Sequence, residues 1–410
     1  MKILKHSREL MLFFSKNNHL NQITFTNKTN AIFNSLYNEM LIAYNFVKKQ
    51  KPYKYTVKKI TSPFQITKPK TFNTKSFPEI IRNHIDDMTV SEISYSFSLY
   101  DRNITVHFIV ENEITEHEMN VYNRYVESIA IWLYIVNIYA SKECVKSINI
   151  YLYFTSLLKK LPSSNDYVLG ENNVNTAFTT TCPIDSEIVI FRKEEWFKVL
   201  IHETFHNFGL DFSSMSCEAI NNCILNIFPV NSQVNSYEAY TEFWAEILNG
   251  LFCSFFELKN KSNINEFLSN AEFYINFERF YSLFQMVKTL QFMGLTYKEL
   301  YSKSEHAKIY REKLYKENTN VLSYFVLKTI LINNFQGFIS WCDKNNLSLL
   351  DFKKTERNQN EFCEFIRKNY KSKSILEGIE LSEEFLFKLK RKKGNRYILS
   401  NMRMSICELG

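Results

Sequence analysis

The stretch Trp196-Phe-Lys-Val-Leu-Ile-His202-Glu203-Thr-Phe-His206-Asn-Phe-Gly209 carries two histidines four residues apart, with a glutamate directly after the first. On a helix of 3.6 residues per turn, positions four apart stand one above the other, so His202 and His206 can place two imidazole nitrogens on one divalent cation. Glu203 is turned about 100° from His202 around the same helix. From there it can accept a proton from a water on that cation without being a ligand itself. Two imidazoles do not complete a water-activating site, because zinc there takes three protein ligands and keeps a fourth position open. The third must come from elsewhere, and Ser236-Tyr-Glu238-Ala-Tyr-Thr-Glu242-Phe-Trp-Ala-Glu246-Ile-Leu-Asn is the best source. Read as a helix, it aligns Glu238, Glu242 and Glu246 on one face, with Phe243, Trp244, Ile247 and Leu248 marking a packed element. Carboxylates so placed want a cation or a proton.

His202-Glu203-x-x-His206 followed by Glu242-Phe-Trp-Ala-Glu246 resembles the gluzincin class of zinc metallopeptidases, and the Glu-aromatic-aromatic-Ala-Glu pattern is most similar to the lethal-factor-like branch. The resemblance is specific over roughly residues 147–250. It implies Zn2+ as cofactor, Glu242 as third ligand beside His202 and His206, and Glu246, one turn on, supporting a ligand histidine. Glu203 is then the general base for hydrolysis of a peptide bond in a polypeptide substrate, by an endopeptidase rather than an exopeptidase. In that branch a tyrosine two turns ahead of the ligand glutamate helps to stabilise the oxyanion, but this chain has Asn235 there. Tyr237 and Tyr240 lie nearby, and His306, Tyr310 and Tyr324 further on. The competing metzincin extension is followed through Gly209 and then fails, since Phe212 occupies its last ligand position. Asp211, one residue early, stays open as a ligand. Glu238 and Asp211 also stay open as groups that fix an imidazole tautomer.

The local sequence supports the elements these residues need. Glu194 and Glu195 suit the first turn of a helix, where the macrodipole favours carboxylates, and Gly209 suits the left-handed position just past its end. Ahead of it, 93–100 and 104–110 alternate polar and apolar residues around Asp101-Arg-Asn103 and read as a β-hairpin, with His107 on the polar side. A helix is predicted over 116–141, strands over 147–154 and 187–191, and a polar β-prone stretch over 175–181, whose Asn175 to Phe178 matches the substrate-binding edge strand that the resemblance implies. Beyond the acidic helix, three- and four-residue apolar spacing recurs over 264–292, 321–341 and 361–370.

The expected fold class is therefore α+β: an N-terminal accessory region (1–85), a zincin-like catalytic domain (86–260) with a twisted mixed sheet, backing helix and active-site helix, and a mainly helical C-terminal region (261–410). Residues 30–50 read as a helix and 61–77, with Pro63 and Pro69 ahead of Pro78, as an extended connector.

Composition narrows the partners. The net charge of +7 comes mostly from short runs at Lys48–Lys51, Lys58–Lys59 and Lys388–Lys393, which read as solvated surface and give no strong nucleic-acid signal. No apolar run approaches the ~20 residues a bilayer requires, and the N-terminus shows no signal peptide. The eight cysteines form no Cys-x-x-Cys pair and read as reduced thiols of a cytoplasmic or otherwise intracellular protein. Phe 36 and Tyr 24 against Gly 8 and Pro 7 resemble coding from an AT-rich genome, such as that of a virus. The alternative to catalysis is a zincin-fold protein acting as a structural or interaction component. Glu203 argues against it, because a non-catalytic zinc site has no use for a general base.

Overall fold

The computed structural model describes residues 1–17, 22–50, 53–392 and 394–410, so Lys51 and Lys393 of the basic runs lie outside the described residues. Two helices, α1 (Lys5–Asn17) and α2 (Asn27–Gln50), precede β1 (Lys54–Lys59) and α3 (Glu79–Met88). The predicted hairpin is β2 (Ser91–Leu99) and β3 (Arg102–Val110), followed by α4 (Glu116–Tyr139) and β4 (Ser147–Phe154). A short α5 (Glu171–Val174) leads to β5 (Ala177–Thr179) and β6 (Asp185–Ile190), and then to α6 (Trp196–Asn207), α7 (Glu218–Ile227) and α8 (Ser236–Glu257). The remainder is helical: α9 (Ile264–Phe292), α10 (Tyr297–Tyr301), α11 (Glu305–Leu314), a π-helical segment Leu322–Leu327, α12 (Lys328–Asn333), α13 (Phe335–Asn345), α14 (Glu356–Asn369), α15 (Lys373–Lys390) and α16 (Arg396–Ser400). The predicted 321–341 helix is thus broken at Asn334.

The six strands make one mixed sheet in the order β1-β2-β3-β4-β6-β5. β3, β4 and β6 run parallel at its centre, while β1, β2 and β5 are antiparallel to their neighbours. The central strands are buried on both sides, as parallel strands are. Ile104, Val106, Phe108, Ile150, Leu152, Ile188 and Ile190 join the main core with α4 and α6, whereas Ile109, Tyr151, Tyr153 and Val189 face a second, smaller core.

That second core changes the reading of the N-terminal region. Ile60, Ile66, Phe72, Phe77, Ile81 and Ile85 supply its cover, so the proline-rich stretch is a lid on the sheet's outer face rather than a connector. Phe77 stacks on Phe191 and meets Tyr153 and Phe178. β1 extends the sheet from β2, and α2 packs on α4 and α9, so residues 1–85 belong to the same body as the sheet.

α4 begins at a Thr115–Glu118 capping box and buries Tyr125, Ile129, Trp132 and Val136 against sheet and α6. Trp132 Nε1 donates to Thr204 Oγ1 at 2.8 Å, which fixes the backing helix to α6 by a buried polar contact. The chain is a mixed α+β fold with a mainly helical C-terminal region.

Two cysteine pairs are bonded, Cys144 to Cys182 and Cys223 to Cys363. This corrects the expectation of eight reduced thiols. Partners 38 and 140 positions apart in sequence leave no spacing signal, since the fold alone brings them together. Cys217, Cys253, Cys342 and Cys407 are free. Among the described residues, no helix is long and apolar enough to cross a membrane.

Candidate metal centre

Every side chain of α6 is buried, because the helix sits between β6 and β5 on one side and α8 on the other. Gly209 adopts φ +66° past its C-terminus, the position predicted for it. The other end differs from expectation. Glu195 is the left-handed residue preceding the helix (φ 60°), and its carboxylate turns away to accept from the main-chain N–H of Met404 and Ser405 at 3.0 and 2.6 Å and to pair with Lys159. Glu194 accepts from Lys159 N.

His202 and His206 present their Nε2 atoms to each other at 3.2 Å, with ring planes nearly perpendicular. A single carboxylate oxygen, Glu238 Oε2, stands 3.1 Å from His202 Nε2 and 3.4 Å from His206 Nε2. Ligands each held about 2.0–2.1 Å from a tetrahedral zinc stand roughly 3.3 Å from one another, so this triangle has the size of one face of such a site. The two imidazoles and Glu238 form a buried group that could hold a metal ion.

The far side of each ring is fixed by a carboxylate. Glu242 Oε2 lies 2.8 Å from His202 Nδ1, and its other oxygen accepts from Lys198 Nζ at 2.6 Å. Asp211 Oδ2 bonds His206 Nδ1, while Oδ1 accepts from Ser213 N and Oγ. With Nδ1 of both rings donating to carboxylates, both Nε2 lone pairs point into the triangle, which is the arrangement a metal-binding imidazole needs. Burial disfavours charge on both histidines, but Glu238 and Glu242 around His202, and Asp211 and Glu238 around His206, outweigh it and hold both above the ordinary histidine value.

Glu203 lines the pocket beside His202 and Glu242, where burial pushes its carboxyl above the ordinary value against the pull of the imidazoles. Tyr324 lines the same pocket from the π-helical segment and donates to Glu238 Oε2 at 2.9 Å. Asn320 Nδ2 reaches Glu238 Oε1 at 3.3 Å. Asn175, Thr176 and Ala177, at the start of edge strand β5, form the opposite wall.

The structure therefore brings His202, Glu203 and His206 together but moves the carboxylate roles one turn along α8. Glu242, expected as third ligand, supports His202 instead. Both its oxygens are taken by Lys198 and by Nδ1, and Glu238 is the carboxylate that faces both Nε2 atoms. Glu246, expected to support an imidazole, pairs with Lys328 Nζ at 2.6 Å and touches neither ring. Asp211 takes the tautomer-fixing place that sequence left open for it. Of the oxyanion candidates, Tyr324 reaches the site. Tyr240 donates to Leu350 O, Tyr237 stacks edge-on against His206, and His306 and Tyr310 pair with each other on α11. His107 stays in the sheet, bonded to Ser94 and Glu92. Lys198 was missed. A lysine one turn before the first histidine, in the otherwise apolar run 196–201, was the available signal of a buried carboxylate partner.

No family model matches the chain, and no solved structure does. The chain is similar to Uncharacterized protein R210 of Acanthamoeba polyphaga mimivirus, with 27% identity over 188 residues. The match covers 44% of this chain and 46% of that protein, so the likeness to a viral protein extends over less than half of either length.

Proposed function

We propose that the chain is a zinc-dependent metallopeptidase of zincin-like fold that hydrolyses peptide bonds in a polypeptide. The observation that carries this reading is the triangle of His202 Nε2, His206 Nε2 and Glu238 Oε2, each imidazole backed by its own carboxylate, with Glu203 beside it. Two imidazoles and one carboxylate are a donor set for catalytic zinc, which when bound supplies an acidic water and polarises the scissile carbonyl. Glu203, held in a buried pocket that raises its proton affinity, accepts the proton from the attacking water and passes it to the leaving amine. Tyr324 offers its hydroxyl to the carbonyl oxygen as that oxygen gains charge. β5 offers a short edge for main-chain pairing with the substrate. The viral relative and the AT-rich composition support a virus-encoded protein.

The near-complete burial of the metal-facing groups favours a second reading, a structural metal centre without turnover. One experiment separates the two. Purified protein is assayed for zinc and for chelator-sensitive cleavage of a peptide library and a denatured protein, beside Glu203→Gln. The proposal expects one zinc per chain in both proteins and cleavage in the parent alone. Zinc in both with no cleavage by the parent would establish the structural reading.

A further inference from the structure

The groups that face the metal position are almost closed off: His202, Glu203, His206 and Glu238 retain 5%, 6%, 9% and 9% of their exposure. The pocket that His202 and Glu203 line has a cavity of about 30 Å³, too small for a peptide segment, so admitting a polypeptide requires part of its surroundings to move.

The residues on either side show which part. One wall is 174–177, at the end of the segment that joins β4 to β5. The other is Tyr324, at the end of the stretch 316–324, whose Asn320 and Tyr324 both bond Glu238. The two walls are tied together across the cleft. Thr319 Oγ1 donates to Asn175 Oδ1 at 2.8 Å. Leu169 N donates to Lys316 O at 3.2 Å and Asn318 N to Leu169 O at 3.0 Å, a single parallel β-bridge between Leu169 and Glu317. Gly170 lies so close to Asn318 that an added Cβ would stand 2.6 Å from Asn318 Oδ1. Leu169 is the one buried side chain between 161 and 173, and the others are half-buried or exposed. At 174–176 the segment is fixed by buried Val174 and Thr176 and by bonds from Phe191 N to Thr176 O and from Arg192 to Asn175 O, whereas between 161 and 173 it has one apolar anchor and a few hydrogen bonds; α6 beneath it is buried throughout. Elements with so few buried contacts open at much lower free energy than the core.

We propose that 161–173 is a strap that closes the metal cleft through the clasp of Leu169 and Gly170 on 316–318, and that this clasp is what opens to admit a polypeptide, with 174–176 as its fixed end. This rests on the metallopeptidase reading, and it assigns the closed form to the clasp rather than to α6 or α8.

The test is the rate at which a chelator removes zinc from the loaded protein, measured with the parent, with Gly170→Cys/Asn318→Cys oxidised by a small-molecule disulfide, and with Leu169→Ala. The locked variant is expected to lose zinc about tenfold more slowly or less. Its rate should return to that of the parent under reductant, with reduced parent as the control for the native disulfides. Leu169→Ala is expected to lose zinc about tenfold faster. Cleavage of a denatured protein should fall in the locked form and recover on reduction. Equal zinc release from parent and cross-linked protein, with the bond verified by mass, overturns the strap while leaving the metal centre intact. Failure of the parent to hold zinc overturns the metal reading and the strap together.

Discussion

Glu242 Oε2 lies 2.8 Å from Nδ1 of His202, on the opposite side of the ring from Nε2, which faces Glu238. The ring separates the two carboxylates, so one can meet the cation and the other can only orient the imidazole.

Substitution should therefore separate them. Glu238→Ala removes a ligand and is expected to leave the protein without stoichiometric zinc. Glu242→Gln keeps all three ligands and should weaken zinc by about 10- to 100-fold, the effect of losing a group that fixes a ligand's tautomer. Metal analysis and competitive chelator titration read both. Loss of zinc from Glu242→Gln with full retention in Glu238→Ala would restore Glu242 as the ligand.

Tyr324→Phe removes a hydroxyl and little volume. If that hydroxyl stabilises the oxyanion, kcat falls by about 10²- to 10³-fold while zinc content stays at the parent value. Unchanged kcat would take Tyr324 out of the mechanism.

The pH dependence has a definite sign. In the metal-free protein both histidines are held above, and Glu238 and Asp211 below, their ordinary values, with burial opposing each shift and the imidazole–carboxylate contacts outweighing it. The imidazoles' contribution to stability is present below their unfolded value of about 6.5 and is lost as pH rises through the higher folded values. The carboxylates' contribution is lost as pH falls through their lowered values. Zinc competes with the same imidazole protons, so the rise in Tm on adding zinc should be larger at about pH 8 than at about pH 6. A larger rise at the lower pH would contradict this protonation scheme.

Thr204→Val keeps the shape of α6 but leaves Trp132 Nε1–H without its acceptor, at a site where both side chains are fully buried. The expected loss is about 1–3 kcal/mol of stability, read as a lower Tm or denaturant midpoint. No loss would mean that apolar packing alone fixes α4 to α6.

The parts of this protein that were legible in its sequence are those governed by short-range geometry. The i, i+4 spacing of His202 and His206, the left-handed Gly209, the hairpin of β2 and β3, and the long α4 and α9 each follow from periodicities that a helix or strand imposes on its own residues. The cover that 60–85 lays over Tyr153 and Phe191, the pairing of Cys144 with Cys182, and the strap were not readable, because each joins segments whose separation in sequence carries no pattern.

The choice among the carboxylates of α8 shows where that boundary falls. Sequence determined that Glu238, Glu242 and Glu246 share one face of a helix, and that two imidazoles share one face of another. Which carboxylate meets which nitrogen depends on how α8 docks along α6. A slide of one turn, about 5.4 Å, exchanges Glu242 for Glu238 without altering any local preference. Only the tertiary structure decided it, because Lys198 on one helix and Lys328 across the core pair with Glu242 and Glu246, and Glu238 is left facing both Nε2 atoms.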